Sequence, residues 1–93
     1  MINLSQKTWK EIDTSIADRL IRLRKRRKIS QQELAVRSGV SLGSVKRFEQ
    51  SGEISLKSLT RIAIALGAEG ELEALFEDVP FDSIEEVING QGK

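Results

Sequence analysis

The stretch ISQQELAVRSGVSLGSVKRFEQ, residues 29–50, decides how the rest of the 93-residue chain is read. Ser30 followed by Glu33 has the form of a capping box, in which a hydroxyl and a carboxylate satisfy free N–H groups at a helix start. It opens a helix through Arg37, with Leu34 and Ala35 facing inward. Ser38-Gly39-Val40-Ser41 then reads as a tight turn, because Gly39 can take the left-handed conformation that ends a helix. Ser41 caps a further helix from Leu42 to about Gln50, with Val45 and Phe48 on one side and Ser44, Lys46 and Arg47 elsewhere.

The spacing within this stretch is itself informative. Counting from Gln31, Ala35 is fifth, Gly39 ninth and Val45 fifteenth. A small residue at the fifth place lets two helices cross closely, glycine at the ninth permits the turn, and an aliphatic residue at the fifteenth plugs the space between them. Two short helices joined by a glycine-containing turn form the helix-turn-helix unit, whose second helix lies in the DNA major groove. An ordinary helical hairpin shares the short helices and the turn, but not the full spacing or the basic surroundings.

Working outward, Ile16, Leu20 and Leu23 make one apolar stripe at helical spacing, which predicts a helix from about Asp13 or Thr14 to Lys28. Its end is strongly basic: Arg22, Arg24, Lys25, Arg26, Arg27 and Lys28. Cations there suit the negative end of a helix dipole. That run is either a solvated face or a source of phosphate contacts. Residues 1–11 show no clear period and read as an arm with Trp9 packed. Downstream, Ser55 caps a helix from Leu56 to Leu66, with Leu59, Ile62, Ala63 and Leu66 inward and Gly67 ending it. Glu69 to Phe76 reads as a short fifth helix carrying Leu72, Leu75 and Phe76. After Pro80, Ser83 to Ile88 could form another turn or two, and residues 89–93 should fray. The apolar residues Phe81, Ile84, Val87 and Ile88 read as core, dimer interface or docking surface. No segment alternates like a strand, so the expected fold is all-α. The expected organisation is an arm over 1–11, a DNA-binding domain over 12–78 and an acidic tail over 79–93.

Composition narrows the chemistry. The chain contains no Cys and no His, which removes thiolate and imidazole metal ligands and the commonest general base. No Gly-rich phosphate loop is present, and adjacent Glu85 and Glu86 diverge on a helix, so no catalytic residue, metal site or cofactor is expected. The longest strongly apolar run, Ile62 to Leu66, is too short to span a bilayer. A cytoplasmic location is expected. Charge is divided unevenly. Residues 1–67 carry 14 Lys/Arg and 6 Asp/Glu, a net +8; residues 68–93 carry one Lys and 8 Asp/Glu, a net −7. Such asymmetry suggests a polyanionic partner for the body and a separate role for the tail.

Residues 29–49, with Ile54-Ser55-Leu56 and the run Leu59 to Gly67, resemble the XRE (Cro/lambda-repressor-like) family over roughly residues 14–76. The resemblance implies a compact five-helix bundle with a central helix-turn-helix that binds double-stranded DNA as a homodimer, here with an acidic C-terminal extension. The third helix would enter the major groove with its N-terminal residues nearest the bases: Ser41, Leu42, Gly43 and Ser44, then Lys46 and Arg47. Arg47 is the candidate for reading guanine, since a guanidinium matches that base's two major-groove acceptors. Leu42 could touch a thymine methyl or pack locally, Gly43 permits close approach, and Ser44 could reach a base or a phosphate. This surface lacks the Gln- and Asn-rich character common in the family, which leaves more of the specificity to DNA shape. By the same resemblance, Gln31 holds a backbone phosphate supported by Ser30 and the N–H groups of that helix end, and Arg24 and Glu49 form a structural salt bridge.

The expectation is therefore a transcriptional regulator, a repressor on a palindromic operator. The competing expectation is an antitoxin of the HipB or HigA type that also binds a toxin through the C-terminal region. A helix-turn-helix that has lost DNA binding and serves as a protein adaptor is a third reading, opposed by the basic surface.

Overall fold

A cap, rather than an apolar stripe, starts the first helix. In a computed structural model, which describes residues 6–78, α1 spans Trp9–Arg26. Thr8 Oγ1 accepts the Glu11 N–H at 3.2 Å, and Glu11 Oε1 accepts the Thr8 N–H at 3.3 Å. This reciprocal pair satisfies two of the free N–H groups of the first turn. The helix thus begins four residues before Asp13, and residues 9–11 belong to it rather than to an arm. Trp9 is 71% exposed and is not packed. At the other end α1 stops at Arg26, short of Lys28. Lys28 turns left-handed at φ 57°, and Ile29 drops into the core.

Four further helices follow: α2 Gln31–Ser38, α3 Leu42–Ser51, α4 Leu56–Ala65 and α5 Glu69–Glu73. No strand occurs among the described residues. The expected caps are present. Ser30, Ser41 and Ser55 each accept the N–H three residues on, from Glu33, Ser44 and Ser58 at 3.0, 3.1 and 3.1 Å. The predicted box at Ser30 is only half used, since the Glu33 carboxylate pairs instead with Arg37 at 2.6 Å. Gly39 ends α2 at φ 72°, its N–H on Ala35 O at 3.0 Å. Gly52 ends α3 at φ 79° and is also required by packing, because a Cβ there would lie 2.8 Å from the Asp13 carbonyl carbon. α5 is shorter than expected and ends before Leu75 and Phe76, which are 52% and 80% exposed.

The core gathers one or two side chains from nearly every element: Ala17 from α1, Leu34 and Ala35 from α2, Val45 and Phe48 from α3, and Ile62 from α4, joined by Ile29, Val40 and Leu66. Each fully buried aliphatic side chain contributes roughly 1.5–3 kcal/mol relative to exposure. α1 packs on α3, α2 on both α3 and α4, and α4 on α5. Ala35 and Val45 are both buried in the core where α2 packs on α3, as their spacing predicts. With Val45 wholly buried, the opposite side of α3 is directed to solvent. Among the described residues this is the five-helix, lambda-repressor-like bundle expected from the sequence. The expected turns after Pro80 and the acidic tail over 79–93 lie outside the described residues.

Candidate nucleic-acid interface

One ionic network sets how α3 is carried. Arg24 is 9% exposed, and its guanidinium reaches Glu49 twice, Nε to Oε2 at 2.8 Å and Nη2 to Oε1 at 3.0 Å. Its remaining terminal nitrogen donates to Ile29 O at 2.9 Å. Glu49 Oε1 also accepts from Gln31 Nε2 at 2.8 Å. A buried ionic pair is tolerable only when it is well hydrogen-bonded, and here each guanidinium nitrogen and both carboxylate oxygens have a partner. The network ties the end of α1, the start of α2 and the end of α3, and so fixes α3 against the other two.

On its outer side α3 presents Ser41, Gly43, Ser44, Lys46 and Arg47, all exposed. A Cβ on Gly43 would meet nothing within 4 Å, so the fold itself does not require glycine there. Leu42 is half-buried and leans on the core, which restricts its access to an outside partner. Ser41 is engaged as the cap, and its hydroxyl donates to Ser44 Oγ at 2.9 Å, leaving the Ser44 O–H to donate outward. The amide of Gln31, held by Glu49, retains one N–H and its oxygen. Ser30 accepts from Glu33 and keeps its own O–H. The structure thus brings Ser41, Gly43, Ser44, Lys46 and Arg47 onto one surface, with Ser30 and Gln31 at the adjoining start of α2.

Sequence reasoning missed Glu53. The Arg47 guanidinium is 72% exposed, yet Nε and Nη2 both lie on Glu53 Oε2, at 2.9 and 2.8 Å. Glu53 is placed by Ser51, whose Oγ accepts the Glu53 N–H at 3.2 Å while donating to Arg47 O at 2.7 Å. Beside them, Ser44, Arg47, Glu53, Ile54, Ser55 and Ser58 line a concave surface between α3 and the start of α4. Exposed pairs of this kind are worth about 0–1 kcal/mol, so an incoming anion or guanine edge can displace the carboxylate.

The exposed α3 face with Lys46 and Arg47, carried on the Arg24–Glu49–Gln31 network, defines the class: a helix-turn-helix DNA-binding protein. A family model described as helix-turn-helix matches residues 20–72, and the chain belongs to that family, of the XRE type. None of the curated proteins and none of the solved structures compared with the chain matches it. The family makes this a DNA-binding protein of the transcription-regulator kind. Among the described residues, no helix is long and apolar enough to cross a membrane.

Proposed function

We propose that the protein is a repressor that binds a palindromic operator as a homodimer, with α3 in the major groove. The exposed row Gly43, Ser44 and Arg47 on a helix anchored from behind by Arg24 and Glu49 is the observation that carries this reading. Arg47 leaves Glu53 to span the O6 and N7 acceptors of a guanine. Ser44 and Lys46 take a base edge or a phosphate, Gly43 lets the groove approach the helix, and Ser41 contributes through its position at the helix start. Leu42 supplies, at most, a grazing contact with a thymine methyl. Gln31 and Ser30 hold a phosphate at the α2 N-terminus, which sets register rather than sequence. Two half-sites would lie about one helical turn, or a multiple of it, apart. Blocking a promoter is the mechanism, the DNA-binding unit starts with α1 at Trp9 and runs to residue 78, and the protein acts in the cytoplasm.

The test is binding to the DNA immediately upstream of its gene across a salt series. The logarithm of affinity should fall with the logarithm of salt concentration, with a slope of about −0.9 per phosphate contact. A slope near zero, or no binding at low salt, contradicts the reading.

A second reading is favoured by the acidic residues from Glu69 onward and by Leu75 and Phe76, which stand exposed beside them. In that reading the protein is an antitoxin that also binds a basic, partly apolar toxin through its C-terminal region. Co-purification with the product of a neighbouring gene supports it; failure to bind any such product removes it.

A further inference from the structure

Away from the α3 surface, α1, α4 and α5 enclose an open cleft of about 170 Å³, walled by Ile16, Leu20 and Leu23 of α1, Leu59 of α4 and Leu72 of α5. All five are half-buried, so their apolar surface is only partly covered. A space of roughly 150 Å³ accepts a benzene-sized group. The α1 side of the cleft is cationic. Arg19, Arg22 and Arg26 surround Leu23 on the adjoining surface, and none is in an ion pair among the described residues. Among the described residues, the only charged one lining the cleft on the α5 side is Glu71.

The sequence that follows is complementary to this site. α5, one wall of the cleft, ends at Glu73, and the described residues end at Asp78. Beyond them come Phe81, Ile84 and Ile88, at the three- and four-residue steps of a single helical stripe, with Asp82, Glu85 and Glu86 alongside. We propose that residues 80–88 dock onto this cleft of their own chain. Phe81, Ile84 and Ile88 cover Ile16, Leu20, Leu23, Leu59 and Leu72, and the carboxylates face Arg19, Arg22 and Arg26.

Two arguments favour the chain's own segment over a second copy. The link from Glu73 to Phe81 is short, and a short tether gives an effective concentration on the order of millimolar. Five half-buried side chains are also far fewer than the roughly 20–30 residues a side of a stable interface. The proposal does not depend on what α3 binds.

The experiment is methyl NMR of the whole chain, unaltered and carrying Phe81→Ser, Ile84→Ser and Ile88→Ser together. Docking predicts that the methyl signals of Ile16, Leu20, Leu23, Leu59 and Leu72 shift between the two proteins. The wholly buried Val45 and the nearly buried Ile62 should stay in place and so report that the bundle is intact. The unaltered chain's shifts should not change on dilution. Arg19→Glu, Arg22→Glu and Arg26→Glu together should move the same five sets of signals towards their positions in the serine variant. Cleft signals that are identical in the two proteins overturn the proposal. So do cleft signals that revert on dilution, which would place a second copy in the cleft.

Discussion

Arg47 holds two of its nitrogens on one carboxylate oxygen, Glu53 Oε2, at 2.9 and 2.8 Å, so the arginine assigned to base reading is already paired in the free protein. Binding DNA therefore exchanges one partner for another. Because the pair is exposed, its loss costs about 0.2–1 kcal/mol. Glu53→Gln removes that competition and a negative charge next to the phosphates. It should tighten DNA binding about 1.4- to fivefold at low salt, by the same estimate, and less at high salt. Equilibrium titration of both proteins against one duplex measures this; weaker binding by the variant would show that Glu53 orients Arg47 instead of competing for it.

Gly43 separates the needs of the site from those of the fold. Its would-be Cβ meets nothing within 4 Å, and it lies inside α3. Gly43→Ala should therefore raise stability by about 0.5–1 kcal/mol through helix propensity. The same methyl stands where the groove approaches, and DNA affinity should fall. Urea unfolding and a DNA titration on one sample read both effects. A variant that binds DNA undiminished removes Gly43 from the interface.

Gly52 should behave in the opposite sense. It combines φ 79° with a Cβ position 2.8 Å from the Asp13 carbonyl carbon, whereas Gly39, at φ 72°, has open space around it. Gly39→Ala should cost about 1–2 kcal/mol from its backbone conformation alone. Gly52→Ala should cost distinctly more, because α1 must also move. Equal losses in urea unfolding would mean that the α1/α3 contact yields easily.

Arg24 and Glu49 are 10% and 9% exposed in their side chains. Removing one partner leaves the other charge buried and uncompensated, so Arg24→Ala should destabilise by about 3–5 kcal/mol. Replacing both with apolar residues, as Arg24→Met with Glu49→Leu, should recover much of the loss. Gln31 then loses its acceptor on Glu49. A single variant as stable as the unaltered chain would show that this network orients the helices without stabilising them.

These contrasts also mark which features are legible in the sequence. The caps at Ser30, Ser41 and Ser55 and the turn at Gly39 depend on neighbours three or four residues away, and they appear as expected. The α2/α3 crossing is legible for the same reason, since Ala35 and Val45 meet size requirements that spacing alone reveals. The start of α1 is hidden because Thr8 and Glu11 set it while Trp9 and Ile12 point outward, so the apolar period fails there. α5 is over-extended by a reading based on hydrophobicity, since Leu75 and Phe76 prolong the pattern but Phe76 turns left-handed at φ 63°. The Arg47–Glu53 pair spans the end of α3 and the bend at Gly52, where no helical spacing rule applies. Gln31 is a phosphate ligand by resemblance to the family, and the fold also brings Glu49 to it from 18 residues away.

The central claim is that Arg47 reads a base, and it is tested by comparing the unaltered chain with Arg47→Ala on the upstream DNA fragment and on a scrambled duplex of equal length. A base-reading arginine predicts a loss of roughly 1–3 kcal/mol on the specific fragment and much less on the scrambled one. An equal loss on both duplexes would make Arg47 a phosphate contact, and no loss on either would contradict its place in the interface.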